Sequence, residues 1–200
     1  MFIIGLTGPS GAGKGTVSEI FMKFGLPVLD ADKIYHALLL PPSPCLNAIV
    51  TRFGHSVLTP SGMLDRAALG DAVFSNPAAL DDLNHIAHTF VMAEVNRQLE
   101  QLRKQGVRAA VLDAPQLFEA GAHKICATVV SVLADKSLRA ERIMKRDGID
   151  MDRAMRRILA QKSDVFFRTN SNYIIENNDS PEALIPKVKK ILTEVGVIST

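Results

Sequence analysis

The stretch Gly8-Pro9-Ser10-Gly11-Ala12-Gly13-Lys14-Gly15-Thr16 restricts the fold of this chain more than any other. Before it lies a short apolar run, Phe2-Ile3-Ile4-Gly5-Leu6-Thr7, that reads as a buried strand. After it, residues 17–24 have the apolar spacing of a helix. Strand, glycine-rich turn and helix, in that order, are the setting of a phosphate-binding loop, or P-loop. Gly8, Gly11 and Gly13 let the backbone curl so that several N–H groups aim at one anion. The helix start adds partial positive charge, and Lys14 adds a full one on a mobile stem. Ser10, Gly11, Ala12, Gly13, Lys14, Gly15 and Thr16 are therefore the candidate phosphate-binding residues. The usual loop has Ser or Thr directly after Lys, where the hydroxyl meets a metal ion. Here Gly15 takes that place and the hydroxyl comes one residue later. Thr16 is thus the candidate metal ligand, directly or through water.

Two hundred residues, 47% of them hydrophobic, suffice for one domain with a sizeable core and inserted lobes. Acidic and basic residues nearly balance, at a formal net charge of +2, which argues against a general nucleic-acid binder. Cys45 and Cys126 are far apart and match no metal spacing, so they read as reduced thiols. Met1 leads straight into a strand, and no apolar run is long enough for a bilayer. The expectation is a cytoplasmic protein.

Gly25 is placed to end the first helix, and residues 26–30 read as a second strand. That strand closes on Asp30-Ala31-Asp32, ahead of a helical stretch over 33–40. In open α/β sheets, ligands gather outside the carboxyl ends of the strands. Asp32 can there accept a proton from an attacking hydroxyl, or it can cap the helix; its spacing fits both. Pro41-Pro42-Ser43-Pro44 breaks the helix. From there to about residue 105 the pattern is mainly helical. It has a short helix over 47–53 stopped by Gly54, a turn at Thr59-Pro60-Ser61-Gly62, and a helix over 66–74 capped by Asp65. A long tract then opens at Asn76-Pro77, with a break expected at His85 to His88. This block interrupts the strand–helix alternation and reads as an inserted lobe, either for a second substrate or as a supporting layer.

Residues 108–113 are a third strand ending in Asp113, the apolar-run-then-acid pattern of a Walker B position. Residues 114–121 read as a turn and short helix, and 125–133 as a continuous, β-branched strand buried on both faces. A helix over 135–146 puts Arg139, Arg142 and Arg146 on one face. Asp147-Gly148-Ile149-Asp150 turns the chain into a second basic helix with Arg153, Arg156 and Arg157. This hairpin reads as a lid whose arginines stabilise a transferring phosphoryl group, or else as a solvated basic face or nucleic-acid patch. Residues 173–175 form a fifth strand, and Asn177 just beyond it suits an adenine hydrogen bond or a turn. The expected architecture is α/β, a three-layer P-loop NTPase fold with a five-stranded parallel sheet. Its core is 1–32, 107–134 and 170–200, its helical insertion 33–106 and its arginine-rich lid 135–169.

Several stretches in this order resemble dephospho-CoA kinases over nearly the whole chain. They include Val28-Leu29-Asp30-Ala31-Asp32, Gly62-Met63-Leu64-Asp65-Arg66-Ala67-Ala68-Leu69, Leu83-Asn84-His85-Ile86-Ala87-His88, Leu112-Asp113-Ala114-Pro115-Gln116-Leu117-Phe118-Glu119, Arg142 with Arg146, Arg157 with Gln161, and Tyr173-Ile174-Ile175-Glu176-Asn177. The resemblance implies transfer of the ATP γ-phosphoryl, with Mg2+, to the 3′-hydroxyl of dephospho-CoA, the last step of coenzyme A synthesis. A monomer is expected for a small kinase of this sort, and the charge balance and short apolar runs give the expectation that it binds neither nucleic acid nor membrane. Asp32 would be the base, Lys14 and the loop amides would hold the ATP phosphates, and Arg142 would meet the transferring group. Asn177 would lie near the adenine, with Arg66, His88, Pro115, Leu117, Phe118 and Glu119 lining the acceptor site. Gly15, Thr89, Gln116, Arg139 and Asn172 depart from the family pattern. The Gly15-Thr16 pair is itself similar to the loop of adenylate kinases, so a nucleoside monophosphate kinase is the alternative. The Asp30-Ala31-Asp32 element and the long helical insertion favour dephospho-CoA kinase.

Overall fold

The structure, a computed structural model, describes residues 1–74 and 76–199. Its strands are β1 (Phe2–Thr7), β2 (Val28–Asp30), β3 (Ala109–Asp113), β4 (Thr128–Leu133) and β5 (Tyr173–Glu176). Its α-helices are α1 (Lys14–Lys23), α2 (Ala31–Leu38), α3 (Pro44–Phe53), α4 (Arg66–Phe74), α5 (Pro77–Lys104), α6 (Lys136–Asp147), α7 (Met151–Leu159), α8 (Asp164–Asn170) and α9 (Leu184–Glu194). The chain divides into two compact units, Met1–Leu29 with Leu102–Thr200, and Asp30–Gln101.

One five-stranded sheet runs in the order β2-β3-β1-β4-β5, with β1 parallel to both β3 and β4, and β4 parallel to β5. The central strand β1 is flanked on both sides, which is why its residues from Ile3 onward are buried. Ile4 and Leu6 pack with Val111, Val130, Val132 and Ile175 against Val17, Ile20 and Phe21 of α1 and Val188, Ile191 and Leu192 of α9. On the opposite face a side chain at Gly5 would come within 2.8 Å of Leu117 and 2.9 Å of Cys126 Sγ, so that layer closes directly on the backbone. Register pairs Leu6 with Asp113. The exit of β1 into the glycine-rich loop is therefore level with the acid that ends β3.

The second unit is helical and has its own core of Leu39, Cys45, Ile49, Val57, Leu69, Val73 and Ala79, with Tyr35, Phe53, Ile86 and Phe90 packed around it. Its helices start where short polar side chains cap them. Ser43 Oγ accepts from Leu46 N–H at 3.2 Å ahead of Pro44. Asp65 accepts from the N–H groups of Ala67 and Ala68 at 3.0 Å each, and Asn76 from those of Ala78 and Ala79 at 3.1 and 3.3 Å.

Four local readings change. The long tract is one continuous helix through His85 and His88, because no Gly or Pro follows Pro77 within it. The expected short helix over 114–121 is a run of turns, and a 3-10 turn, Ala122–Ile125, follows Gly121. Those wound residues delay β4 to Thr128. After α7 a further helix, α8, is capped by Ser163, whose Oγ accepts from Phe166 N–H at 3.3 Å.

Candidate active site

The glycine-rich loop leaves β1 and ends at the first residue of α1, Lys14. Gly8, Gly11 and Gly13 have φ of 144°, 78° and 92°, values that a side chain strains. Crowding adds to this. A Cβ at Gly11 would lie 2.6 Å from the Arg139 carbonyl oxygen, and one at Gly13 would collide with Asn177 Nδ2. Gly13 sits at the N-cap of α1 and offers no side-chain cap, so the first N–H groups of the helix have no side-chain acceptor there. Gly15 is exposed and has open space where a Cβ would be. An uncapped helix start is a place for an anion.

A loop that turns N–H groups toward an anion must turn carbonyl groups away from it. Those outward carbonyls are held here by side chains from distant parts of the chain. Arg139 Nε donates to the Ser10 oxygen at 3.0 Å. Arg142 Nη1 donates to the Gly11 and Ala12 oxygens at 3.3 and 3.5 Å, and its Nη2 to the Asn177 oxygen at 3.0 Å. Asn177 Nδ2 donates to the Ala12 oxygen at 2.7 Å. Asn177 and Arg139 are buried, at 5% and 1% exposure. Burial pulls the Arg139 guanidinium below its ordinary pKa, and the charge of Asp164, 3.4 Å away, pulls the other way. Arg146 Nη2 reaches the Ser10 hydroxyl at 3.4 Å while a bidentate pair with Asp147 holds it. Hydrogen bonds from Arg146, with further charge from Arg157, keep the Asp147 carboxyl down at about 2.

Lys14 makes an ion pair with Asp113, and the buried Ser18 donates its hydroxyl to the other Asp113 oxygen. Lys14 and Ser18 lie one turn apart on α1 and meet the end of β3 together. Beyond Asp113, Pro115 accepts from the Thr7 hydroxyl at 3.2 Å and Leu117 is fully buried. Phe118 stacks edge-on with Phe166 at 5.3 Å and lies 5.3 Å from the His123 ring. Glu119 is exposed.

In the helical unit the question of which acid caps α2 has an answer. Asp30 is the cap, accepting from Lys33 N–H at 3.0 Å, and Asp32 is an exposed residue in the first turn. Arg66 begins α4, exposed, and its charge acts on the half-buried Tyr35 hydroxyl, whose pKa burial raises. His88 is half-buried on α5.

The family model for dephospho-CoA kinase (CoaE) matches residues 2–182. The chain belongs to the dephospho-CoA kinase family. A dephospho-CoA kinase of Symbiobacterium thermophilum is 42% identical over 180 residues, 90% of this chain and 75% of that one. The crystal structure of TT1252 from Thermus thermophilus is 30% identical and superposes with a TM-score of 0.83 over 97% of each chain. A dephospho-CoA kinase structure from Campylobacter jejuni is 28% identical, with a TM-score of 0.71 over 98% of this chain and 97% of that one.

Membership of this kinase family implies ATP as a substrate and a divalent metal with it. The donor set suits a metal carried by nucleotide phosphates rather than by a protein cage. Among the described residues no three His, Cys, Asp or Glu side chains come together as a metal site. The oxygens on offer are the Asp113 carboxylate and the hydroxyls of Ser18 and Thr16, hard ligands of the kind Mg2+ takes one or two at a time. Ser18 escapes a motif-based reading, yet its position four residues after Lys14 marks it. Arg142 and Asn177, which the family resemblance sets at the transferring group and the adenine, here hold the carbonyl side of the loop.

Proposed function

We propose that this protein transfers the γ-phosphoryl group of ATP to the ribose 3′-hydroxyl of dephospho-CoA, releasing CoA and ADP. The observation that carries this reading is the family match over residues 2–182, on a chain whose loop, lysine and strand-end acid are all present. The uncapped start of α1 and Lys14 hold the ATP phosphates. Asp113, Ser18 or Thr16 would help hold a Mg2+ ion, which when bound would supply charge neutralisation at the γ-phosphoryl group. Asp32 orients the 3′-hydroxyl and takes its proton. The hydroxyl oxygen then bonds to the γ-phosphorus, and the bond from that phosphorus to the β–γ bridging oxygen breaks. Arg66, His88, Pro115, Leu117, Phe118 and Glu119 are the proposed acceptor residues. Residues 135–169 act as a lid that excludes water during transfer. Under the same reading the protein acts as a monomer in the cytoplasm, which sedimentation and fractionation check.

The test is ADP release from ATP and Mg2+ with dephospho-CoA, AMP, CMP, UMP or no acceptor. Release with dephospho-CoA alone, and CoA as product, is the expected result. Release with a nucleoside monophosphate instead would assign the protein to the alternative class.

A further inference from the structure

Ser10 is gripped at three of its atoms by residues far along the chain. Its N–H donates to Gln161 Oε1 at 3.0 Å, its carbonyl accepts from Arg139 Nε at 3.0 Å, and its hydroxyl lies 3.4 Å from Arg146 Nη2. Arg139 Nη2 donates to the same Gln161 Oε1 at 3.1 Å. The Ser10 peptide, the Arg139 guanidinium and the Gln161 amide therefore close a hydrogen-bonded ring. Arg139 is buried within it at 1% exposure, and a carboxylate partner, Asp164, sits at 3.4 Å. Arg139 comes from α6, Gln161 from the link between α7 and α8, and Asp164 from the first residue of α8. Two separate segments thus meet at Ser10 of the phosphate loop, and a third, through Asp164, holds the Arg139 that reaches it.

From this ring we infer that Arg139 and Gln161 are positioning residues that set the affinity of the loop for nucleotide phosphates. The inference rests on the proposed reading of the loop as the ATP site. Arg139 meets the loop at the Ser10 carbonyl and Gln161 meets it at the Ser10 N–H, so both act on the backbone of Ser10 itself. Their effect passes through the Ser10 peptide. With that peptide fixed in both directions, the following Gly11, Ala12 and Gly13 are held in the conformation that presents N–H groups to an anion. Without the ring, the loop has other conformations to sample, and binding must order it first. The arrangement also ties loop order to the order of residues 139–164, so that a phosphate bound at the loop and the packing of those helices stabilise each other.

The experiment uses Arg139→Met, which keeps length but removes every donor, Gln161→Leu, and the double variant. Gln161 is exposed, so its replacement spares the core even if the buried Arg139 proves necessary for folding. ATP and ADP binding are measured calorimetrically without acceptor, alongside KM for ATP, KM for dephospho-CoA, kcat, thermal midpoint and amide exchange at Ser10. We expect each single variant to raise the nucleotide Kd and KM for ATP by roughly 5- to 50-fold. KM for dephospho-CoA should stay within about two-fold. The double variant should be no worse than the more damaging single one, because one ring is broken in each case. Faster exchange of the Ser10 amide should accompany the loss. A lower thermal midpoint with nucleotide Kd unchanged would reduce both residues to a structural role and overturn the inference, as would additive losses in the double variant. Normal CoA synthesis with unchanged nucleotide Kd overturns the inference and leaves the function. A wild type that binds ATP but does not phosphorylate dephospho-CoA, with variants that bind it weakly, overturns the function and leaves the inference.

Discussion

The loop-bearing unit and the helical unit use polar side chains in opposite ways. In the loop-bearing unit the important hydrogen bonds join residues distant in sequence: Asn177 to Ala12, Arg139 to Ser10, Arg142 to Gly11, Ser18 to Asp113. In the helical unit they are mostly local. Asp65 caps the residues that follow it, Thr89 bonds the His85 carbonyl one turn back, and Glu94 clasps Arg97 three residues on. The Arg52–Asp82 pair is a long-range exception, with both side chains about half exposed. The difference follows from what each unit must hold. A helical lobe needs only its helices to start in the right place and its apolar faces to meet. A phosphate cradle needs backbone atoms fixed to a fraction of an ångström, and only side chains that arrive from elsewhere can fix them.

Substitutions in the two units should therefore have unequal consequences. The largest effect is expected for Lys14→Ala, which removes the charge at the helix start. It should lower kcat/KM by roughly 1,000-fold and weaken ATP binding, in steady-state kinetics and calorimetry. Unchanged rates would sink the loop as the nucleotide site. Asp32→Asn should come next, with kcat down by roughly 100-fold or somewhat more. ATP affinity should stay within about two-fold, since the residue lies in the other unit. Near-normal turnover would remove Asp32 as the base.

Asn177→Ala sharpens the contrast through stability. It strips the Ala12 carbonyl of a buried donor, and denaturant unfolding should show a loss of about 1–3 kcal/mol, with weaker nucleotide binding beside it. The smallest effect is expected at Glu94, whose carboxyl the hydrogen bond from Arg97 lowers to about 2. Its folded value lies below the usual unfolded value of about 4.3, so its contribution is complete above that pH and fades as pH falls toward 2. Glu94→Gln should cost only about 0.3–0.5 kcal/mol at pH 7, because the pair is local and at the surface, and the difference from the parent should vanish as pH falls toward 2. It should flatten only the acid limb of the stability curve. A large loss at neutral pH would show that local pairs hold this unit as long-range ones hold the other.

The same division decided what the sequence could disclose. β1, the glycine loop and Lys14 were legible because strand, turn and helix signals are all local. So were the caps at Asp65 and Asn76 and the stop at Gly54. The parallel direction of the strands was approachable too, since apolar runs ending in acids suit strands that share one carboxyl edge; their order was not. Asn177 was singled out for its place after β5, yet its bond to Ala12 spans most of the chain, and no spacing rule encodes it. Asp32 could be read as a cap because Asp30 and Asp32 stand two apart at a helix start, and only coordinates show which one turns its oxygen to Lys33. α8 had a readable signal in Ser163-Asp164, a capping residue followed by an acid in the first turn, but a two-helix lid had already accounted for that region. Arg139 reads in the sequence as one of three arginines on a helix face and as a departure from a family pattern. Its burial depends on three segments meeting and could not be seen in advance.

The pairing of Lys14 with Asp113 carries one more consequence. An incoming polyphosphate does not meet a bare cation; it must displace a carboxylate that already neutralises one. Under the proposed reading, phosphate capture would then be an exchange of counter-ions that frees the Asp113 carboxylate. Such an exchange changes local charge less than binding to an isolated lysine would. Nucleotide affinity should accordingly vary gently with salt, and replacing Asp113 should make that dependence steeper as well as changing the affinity itself.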